Sequence, residues 1–375
     1  MTPGSRAWLL AICLSRVGAY MIYIAYAAAL PVLQREWHMS ATAAGGIASC
    51  FQLAYAISLM GCSEIADRVG AQRVFLIGTL ATAIMAALFA AFARDYWSGL
   101  VLYTLLALAL GGTYTTGVLL VAENVPVALV ASGPIVGRAL AWWVVRDTPN
   151  VVTSRAGGER FAGAVLRNRP AMLVIAGYTF HSWELLGMWA WTPAFLAACF
   201  VATGSAPDRG AGLGAYVASL FHVTGMLASM LAGVLADRLG RIPVMLMMAS
   251  LSTVCSLVFG WLLGTPVAVV VALGLVYGFA ALGDSPIYST AITEVVTPAF
   301  RGAALALRSL AGYGAGAIAP LLFGAILDWY GGHSAEAWGW AFVSLGVAGL
   351  VAVASVLMLS RAPGAHVLRR ARVES

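Results

Sequence analysis

The stretch GVLADRLGRIP, residues 233–243, repeats the pattern of SEIADRVGAQR, residues 63–73. Each string joins Asp-Arg to a glycine two positions later, and each follows the second long apolar run of its half of the chain. Self-similarity at matching places indicates an internal repeat. Asp67 and Asp237 are therefore repeat mates, and the sequence predicts two related bundles of helices.

The composition predicts that both halves lie in lipid. Of the 375 residues, 61% are hydrophobic and 10% are charged, whereas a soluble domain carries about 25% charged residues. All 21 basic residues are arginines scattered between apolar runs, which excludes a basic patch for nucleic acid. The five cysteines lie in or beside apolar runs without paired spacing, so neither disulfides nor a metal site is expected.

Breakers such as proline, glycine and charge clusters divide the chain into eleven hydrophobic segments, each long enough to cross a bilayer as a helix. The first five lie near 7–33, 42–63, 74–93, 97–121 and 127–145. The other six lie near 171–198, 212–235, 243–263, 266–289, 303–327 and 338–360. The predicted domains are an N-terminal bundle at 1–145, a cytoplasmic linker at 146–170, a six-helix bundle at 171–362, and a cytoplasmic tail, expected to be disordered, at 363–375.

The two repeated strings resemble the hallmark of the major facilitator superfamily, G-x-x-x-D-R-x-G-[RK]-[RK], which lies between helices 2 and 3 and is echoed between helices 8 and 9. The second copy fits at Gly233, Asp237, Arg238, Gly240 and Arg241. The first copy departs from the motif at Ser63, Ala71 and Gln72, and it keeps Asp67, Arg68, Gly70 and Arg73. The resemblance covers nearly the whole chain.

This resemblance implies an all-α polytopic membrane protein with a two-bundle fold and a pseudo-twofold repeat. It also implies secondary active transport of a small solute by alternating access, coupled to protons, in the plasma (inner) membrane with both termini in the cytoplasm. In the family the motif loops act as inner gates, where each aspartate faces a helix N-terminus of the opposite half. Asp67 would meet the helix that starts near Arg301 and Gly302.

One helix of this twelve-helix plan is expected to be missing. The halves stay in register as far as Glu123 and Glu294, which lie 56 and 57 residues after their motif aspartates. The arginine just beyond the last helix of each half, Arg146 or Arg361, then lies 23 residues after Glu123 but 67 residues after Glu294, a difference of 44. We therefore interpret 127–145 as the sixth family helix and predict that the fifth is deleted.

Arginine placement tests the topology, because short arginine-rich loops stay in the cytoplasm. The family topology places 15 arginines inside and three outside, at Arg35, Arg94 and Arg209, with three more in spans; strict alternation through eleven spans gives four inside and 14 outside. Either 127–145 does not cross the membrane, or the chain is a deletion variant whose halves insert with a defect.

Ionisable groups at mid-membrane cost about 2.5 kcal/mol or more, so each one is a candidate functional residue. Arg16, Tyr20 and Tyr23 share one face of the first helix, which suits an anionic or aromatic solute. The family places this helix along the central cavity, so we expect Arg16 to line it; a snorkelling or structural role is the alternative.

In the second half, His181, Glu184 and Trp191 share one face of the first helix, with Glu184 near the repeat-equivalent depth of Arg16. Glu184 could bind the coupling proton, or it could pair with Arg16 and only lock the halves. His181 could shuttle protons, although a lone histidine more often donates to a carbonyl. Trp191 is predicted to lie on the pathway, with helix packing as the alternative.

Asp284 and Tyr288, at i and i+4, and Arg308 in the next helix complete the predicted pathway. Asp284 and Arg308 are expected to form a buried structural pair or an inner gate. Two GxxxG spacings, at Gly274 and Gly278 and at Gly312 and Gly316, indicate close helix packing.

No metal-binding, nucleophile-elbow or phosphate-loop motif is present, so we predict no enzyme activity, no cofactor and no metal. The expected partners are the lipid bilayer, a small-molecule substrate with an organic anion as one candidate, and the proton as coupling ion. A transport-inactive relative is the main alternative function, and a membrane-embedded enzyme is a remote one.

A topology reporter fused after Arg155 tests the predicted linker. We expect a cytoplasmic signal, because the linker is rich in arginine and short arginine-rich loops are retained inside. The same reporter after Arg94 serves as the control and should give an external signal. An external signal at Arg155 would contradict the cytoplasmic linker.

Overall fold

The structure is a computed structural model that describes residues 6–124, 165–332 and 334–369. Its regular elements in these ranges are all helical. The α-helices are α1 (Arg6–Glu36), α2 (Ala41–Val69), α3 (Ala71–Phe92), α4 (Tyr96–Asn124), α5 (Arg169–Ala202), α6 (Pro207–Leu239), α7 (Arg241–Phe259), α8 (Val267–Gly283), α9 (Ser285–Val295), α10 (Arg301–Trp329) and α11 (Ala335–Arg361).

The predicted spans coincide with these helices wherever the structure describes them. Nine candidate spans meet the length and hydropathy needed to cross a membrane in the described part of the chain, counting α2 to α11 with α8 and α9 as one span. The prediction of an all-α polytopic membrane protein is therefore confirmed. The segment 127–145 and the linker up to residue 164 lie outside the described residues.

The span predicted as one helix at 266–289 is broken at Asp284, which corrects the sequence analysis. Pro286 is the second residue of α9, and proline lacks an N–H and clashes with the carbonyl one turn earlier in a continuous helix. The Asp284 carbonyl instead accepts from Ile287 N at 2.9 Å and Tyr288 N at 3.1 Å. A carboxylic acid thus lies at a helix break inside the second half.

The motif glycines make the tight turns between α2 and α3 and between α6 and α7. Gly70 has φ +97° and Gly240 has φ +91°, a region that side chains with a Cβ rarely adopt. A Cβ on Gly240 would also lie 2.7 Å from the carbonyl oxygen of Arg369. Backbone conformation therefore explains both glycines, and packing adds a second reason for Gly240.

The chain divides into two compact units. The first contains residues 1–26 and 50–155, and in its core Tyr103 contacts Tyr26, Phe51 and Phe89 at centroid distances of 4.8, 4.3 and 5.4 Å. The second contains residues 27–49 and 156–375. The end of α1 and the start of α2 therefore belong to the unit built by the second half, although the predicted boundary at 145 stays a prediction.

The aromatic core of the second unit is centred on Phe342 in α11. Its ring lies 5.2 Å from Phe195, 5.2 Å from Phe259 and 5.1 Å from Phe323, in edge-on arrangements that aromatic pairs favour. Four helices, α5, α7, α10 and α11, meet at these rings. This core fixes the positions of the helices that carry the polar residues described below.

The tail expected to be disordered is ordered as far as residue 369, which corrects that expectation. Ala365–Leu368 forms a 3-10 turn, and Ala365 and Leu368 are both 0% exposed. They belong to one apolar cluster with Val165, Ile242 and Ile292. The tail therefore packs beneath the α6–α7 turn, because two apolar residues three positions apart face the core.

Substitution of the buried tail leucine should destabilise the protein. Leu368→Asp places a carboxylate in an apolar cluster and removes a core side chain, so we expect a loss of roughly 2–4 kcal/mol and a clear fall in Tm. Val367→Asp is the matched control, because Val367 is 43% exposed. Thermal unfolding of both purified variants gives the measurement, and equal Tm values would contradict the packed tail.

Candidate functional site

Helix α5 carries three of the predicted pathway residues, and most of its residues are buried. His181, Glu184 and Trp191 are all below 5% exposed. These three side chains contact different neighbours, although the helical spacing suggested a common face. His181 contacts Asp284 at the α8–α9 break, Glu184 contacts α7, and Trp191 contacts α10.

His181 and Asp284 form a buried pair. Nδ1 of His181 lies 3.2 Å from Oδ1 of Asp284, and the two side chains are 4% and 1% exposed. Within the described part of the chain, neither carboxyl oxygen of Asp284 nor Nε2 of His181 has a hydrogen-bond partner. The sequence predicted a buried pair of Asp284 with Arg308. In the described part of the chain the residue at ion-pair distance from Asp284 is His181.

Arg308 is buried without a carboxylate at ion-pair distance among the described residues. Its Nη1 donates to Ser289 Oγ, and its guanidinium carbon lies 4.1 Å from the ring centroid of Tyr178. Nε has no hydrogen-bond partner in the described ranges. A cation–π contact and hydroxyl acceptors stabilise the guanidinium without neutralising it. Arg308 therefore remains a buried positive charge.

Two tyrosines complete the group around Arg308 and His181. Tyr288 lies 5.6 Å from His181 and 6.0 Å from Tyr178 between ring centroids, and its hydroxyl has no hydrogen-bond partner among the described residues. Gly177 allows this packing, since a Cβ there would lie 2.9 Å from the Tyr288 ring. Tyr178 was not predicted, although its position one helical turn before His181 is visible in the sequence.

Glu184 lies in a separate polar cluster. Its Oε1 accepts hydrogen bonds from Ser252 Oγ at 2.6 Å and Ser256 Oγ at 2.7 Å, and Ser256 is hydrogen-bonded to the Tyr277 hydroxyl. These hydroxyls satisfy the carboxylate inside the second unit. The side chain of Arg16, the predicted partner of Glu184, lies outside the described residues, as do those of Tyr20 and Tyr23.

Trp191 contributes to packing and also borders a cavity. Its Nε1 donates to the carbonyl of Pro320 at 3.0 Å, and its ring stacks on Phe323 at 5.3 Å. One edge faces a cavity of about 710 Å³ that is mostly apolar and is also lined by Arg35 and Asp328. The predicted pathway role of Trp191 stays a prediction.

The motif of the second half forms an ion-pair network. Arg241 is buried, and its guanidinium contacts Asp237 at 2.6 Å and Glu294, at the end of α9, at 3.2 Å. Arg238 is exposed. The network joins the α6–α7 turn to the end of α9. The gating role of the second-half motif stays a prediction. The side chain of Asp67 lies outside the described residues.

The first-half motif offers fewer contacts in the described part of the chain. Arg68 is exposed and pairs with Glu64 one turn earlier on α2, and Arg73 is exposed at the start of α3. Exposed pairs of this kind contribute little to stability. The gating role of the first-half motif stays a prediction.

Comparison with known proteins agrees with this fold. The model of the Major Facilitator Superfamily matches residues 12–133 and 206–374. A point mutant of the nucleoside transporter NupG superposes with a TM-score of 0.69 at 14% identity, covering 94% of this chain and 98% of that one. A bacterial homologue of the human lysosomal transporter Spinster, inward-facing and unoccupied, superposes with a TM-score of 0.62 at 15% identity, covering 96% and 98%. No curated protein sequence matches the chain significantly.

Removal of the buried motif arginine should destabilise the second unit. Arg241→Gln removes the charged contacts of Arg241 with Asp237 and Glu294, so we expect a loss of roughly 1–3 kcal/mol. Arg238→Gln removes the same charge from an exposed position three residues earlier and should change stability by less than about 0.5 kcal/mol. Tm measurements on both variants check this, and a larger effect at Arg238 would contradict the network.

Proposed function

Because this chain belongs to the major facilitator superfamily, we propose that it is a secondary active transporter that moves a small solute by alternating access, driven by protons. The family match and the helical fold support transport as the general activity. The proton and the solute class are proposed from the polar groups buried in the second half. We also propose that the protein lies in the plasma membrane with both termini in the cytoplasm, as the arginine distribution favours.

The observation that carries the proton proposal is the His181–Asp284 pair. A buried carboxylate without hydrogen-bond donors is costly in its charged form, and a shared proton removes that cost. With the imidazole nitrogen 3.2 Å away, one proton can reside on either residue. Opening the site to water would hydrate the carboxylate and release the proton, which links protonation to the conformational change.

The helix break strengthens the case for this pair. Transporters commonly place ion and substrate sites where a membrane helix is interrupted, because free backbone groups and polar side chains are available there. Asp284 is the single residue between α8 and α9. A small change in the angle between these helices would move its carboxyl group relative to His181.

Glu184, the other candidate for the coupling proton, is less suited to that role. Two serine hydroxyls donate to its carboxyl group, whereas neither carboxyl oxygen of Asp284 has a hydrogen-bond partner in the described ranges. We propose that Glu184 holds α5 against α7 and that Asp284 is the coupling carboxylate. Arg16 remains a proposed cavity residue of the first half.

Arg308 supports an organic anion as the solute. A buried guanidinium without a carboxylate partner in the described ranges is an available charge for a substrate carboxylate or phosphate. Tyr178 and Tyr288 would contact an apolar or aromatic part of the same molecule. The fold neighbour NupG is a nucleoside transporter, so a nucleoside is the uncharged class to compare.

The alternative is a family member that has lost transport. The 44-residue deficit after Glu123 is the observation that favours it. Proteoliposomes with an imposed pH gradient distinguish the two, with lactate and benzoate as anionic probes and uridine as the uncharged probe. Accumulation of an anion supports the proposal, whereas the absence of proton flux with all three probes supports the transport-inactive form.

Substitution at Asp284 should uncouple transport from protons. Asp284→Asn cannot bind a proton, so we expect gradient-driven accumulation of the anion to fall by at least roughly tenfold, while exchange of labelled for unlabelled anion continues. Glu184→Gln is the matched control and should retain coupling, because the Gln carbonyl can accept the same two serine hydrogen bonds. Loss of coupling in Glu184→Gln alone would move the proton site to Glu184.

A further inference from the structure

Asp328, in the second half of the sequence, caps the N-terminus of α2, a helix of the first half. The contact lies at the end of the molecule where α1 ends and α2 begins. Asp328, near the end of α10, accepts from the backbone N–H of Ala41 at 3.1 Å and of Thr42 at 2.8 Å, and also from the Thr42 hydroxyl. The first N–H groups of a helix have no partner within it. We propose that Asp328 is a gate residue: its capping of α2 holds this end closed, and the cap is released when the end opens.

The local sequence does not satisfy this helix end by itself. Ser40 acts as the ordinary cap, and its hydroxyl accepts from Ala43 N at 3.1 Å. The N–H groups of Ala41 and Thr42 take their acceptor from a residue more than 280 positions away. A negative charge at a helix N-terminus is favoured by the helix dipole, so Asp328 contributes both two backbone hydrogen bonds and a charge–dipole interaction.

The contact is suited to opening and closing. Asp328 is exposed and Ala41 and Thr42 are partly exposed, so water can replace both sets of hydrogen bonds when the helices separate. A buried ion pair at this place would instead leave two unpaired charges on opening. The cap therefore stabilises the closed arrangement without preventing its reversal.

The helix backbones meet closely beside the cap. A Cβ on Gly45 would lie 2.3 Å from the carbonyl oxygen of Pro320, and a Cβ on Gly324 would lie 2.4 Å from that of Ala41. Glycine on each helix thus allows the approach that brings Asp328 within reach of α2. Small residues leave no large side chain to withdraw when the helices part.

A second link at the same end is weaker. Arg35, at the end of α1, contacts Asp208, at the start of α6, at 2.6 Å, but the two side chains are 49% and 87% exposed. Ion pairs exposed to this degree contribute little. Of the two polar links between first-half and second-half helices described here, the Asp328 cap is the one whose loss should shift the equilibrium.

The test measures opening directly and needs no substrate, so its outcome is independent of the proposed solute and coupling ion. Ala48, almost one turn beyond Gly45 on α2, is 8% exposed. Ala48→Cys is introduced into a variant with the five native cysteines replaced by serine, and its reaction rate with a soluble maleimide is measured in detergent. Asp328→Asn should raise this rate by about fivefold, because the cap loses its negative charge and one of its two accepting oxygens.

Asp95→Asn is the matched control. Asp95 also caps a helix at its N-terminus, accepting from Ser98 N at 2.9 Å, and this backbone hydrogen bond lowers the pKa of Asp95. Its cap is local to α4, so its loss should leave the Ala48→Cys rate unchanged. An equal rise in Asp95→Asn, or an unchanged rate in Asp328→Asn, would overturn the proposal.

Thr42→Ala provides a second variant that removes only the hydroxyl donor and keeps both backbone contacts. It should raise the labelling rate by about twofold, less than Asp328→Asn. If Asp328→Asn fails to yield folded protein by size-exclusion chromatography, this variant carries the test. An unchanged rate in Thr42→Ala would then contradict the gate.

Discussion

Lipid offers no hydrogen bonds, so every polar group that this chain buries in its spans depends on a partner within the protein. The second half meets this constraint in three ways. Hydroxyls satisfy Glu184, an aromatic ring and serines stabilise Arg308, and a single imidazole faces Asp284. Of the three, only the arrangement at Asp284 leaves both oxygens of a carboxyl group without a hydrogen bond in the described ranges. This difference, and not burial alone, separates the proposed proton site from a structural carboxylate.

Glycine determines how closely these helices approach, and therefore where the polar groups lie. The predicted GxxxG spacings pack against side chains in the structure: a Cβ on Gly274 would meet the Phe221 ring, and one on Gly312 would lie 2.4 Å from Tyr178. Because Tyr178 lies beneath Arg308, the second contact also positions the buried cation. The close packing of Gly312 on Tyr178 therefore also determines where the guanidinium of Arg308 lies.

The sequence allowed the helices and the motif turns to be predicted because their signals are local. Long apolar runs mark the spans, and Asp-Arg-x-Gly marks turns in which glycine adopts positive φ. The break at Asp284 also had a local signal, Pro286, which the length of the apolar run obscured. The partners of Glu184 had none, since Ser252 and Ser256 lie 68 and 72 residues away and serines are ordinary residues in spans. Pairing between distant helices follows from the packed fold, which a single sequence does not reveal.

The resemblance to the family predicted an aspartate at a helix N-terminus on the motif side of the molecule. In the second-half motif, Asp237 instead pairs with Arg241, which also contacts Glu294. Among the described residues, Asp328 caps the N-terminus of a helix that is distant in the sequence, at the end where α2 begins. Alternating access requires closure at either end in turn, and the exposed Asp328 cap can separate into water at modest cost. Since the partners of Asp328 are backbone N–H groups and a hydroxyl at the start of α2, this closure depends on where that helix begins and needs no matching basic side chain.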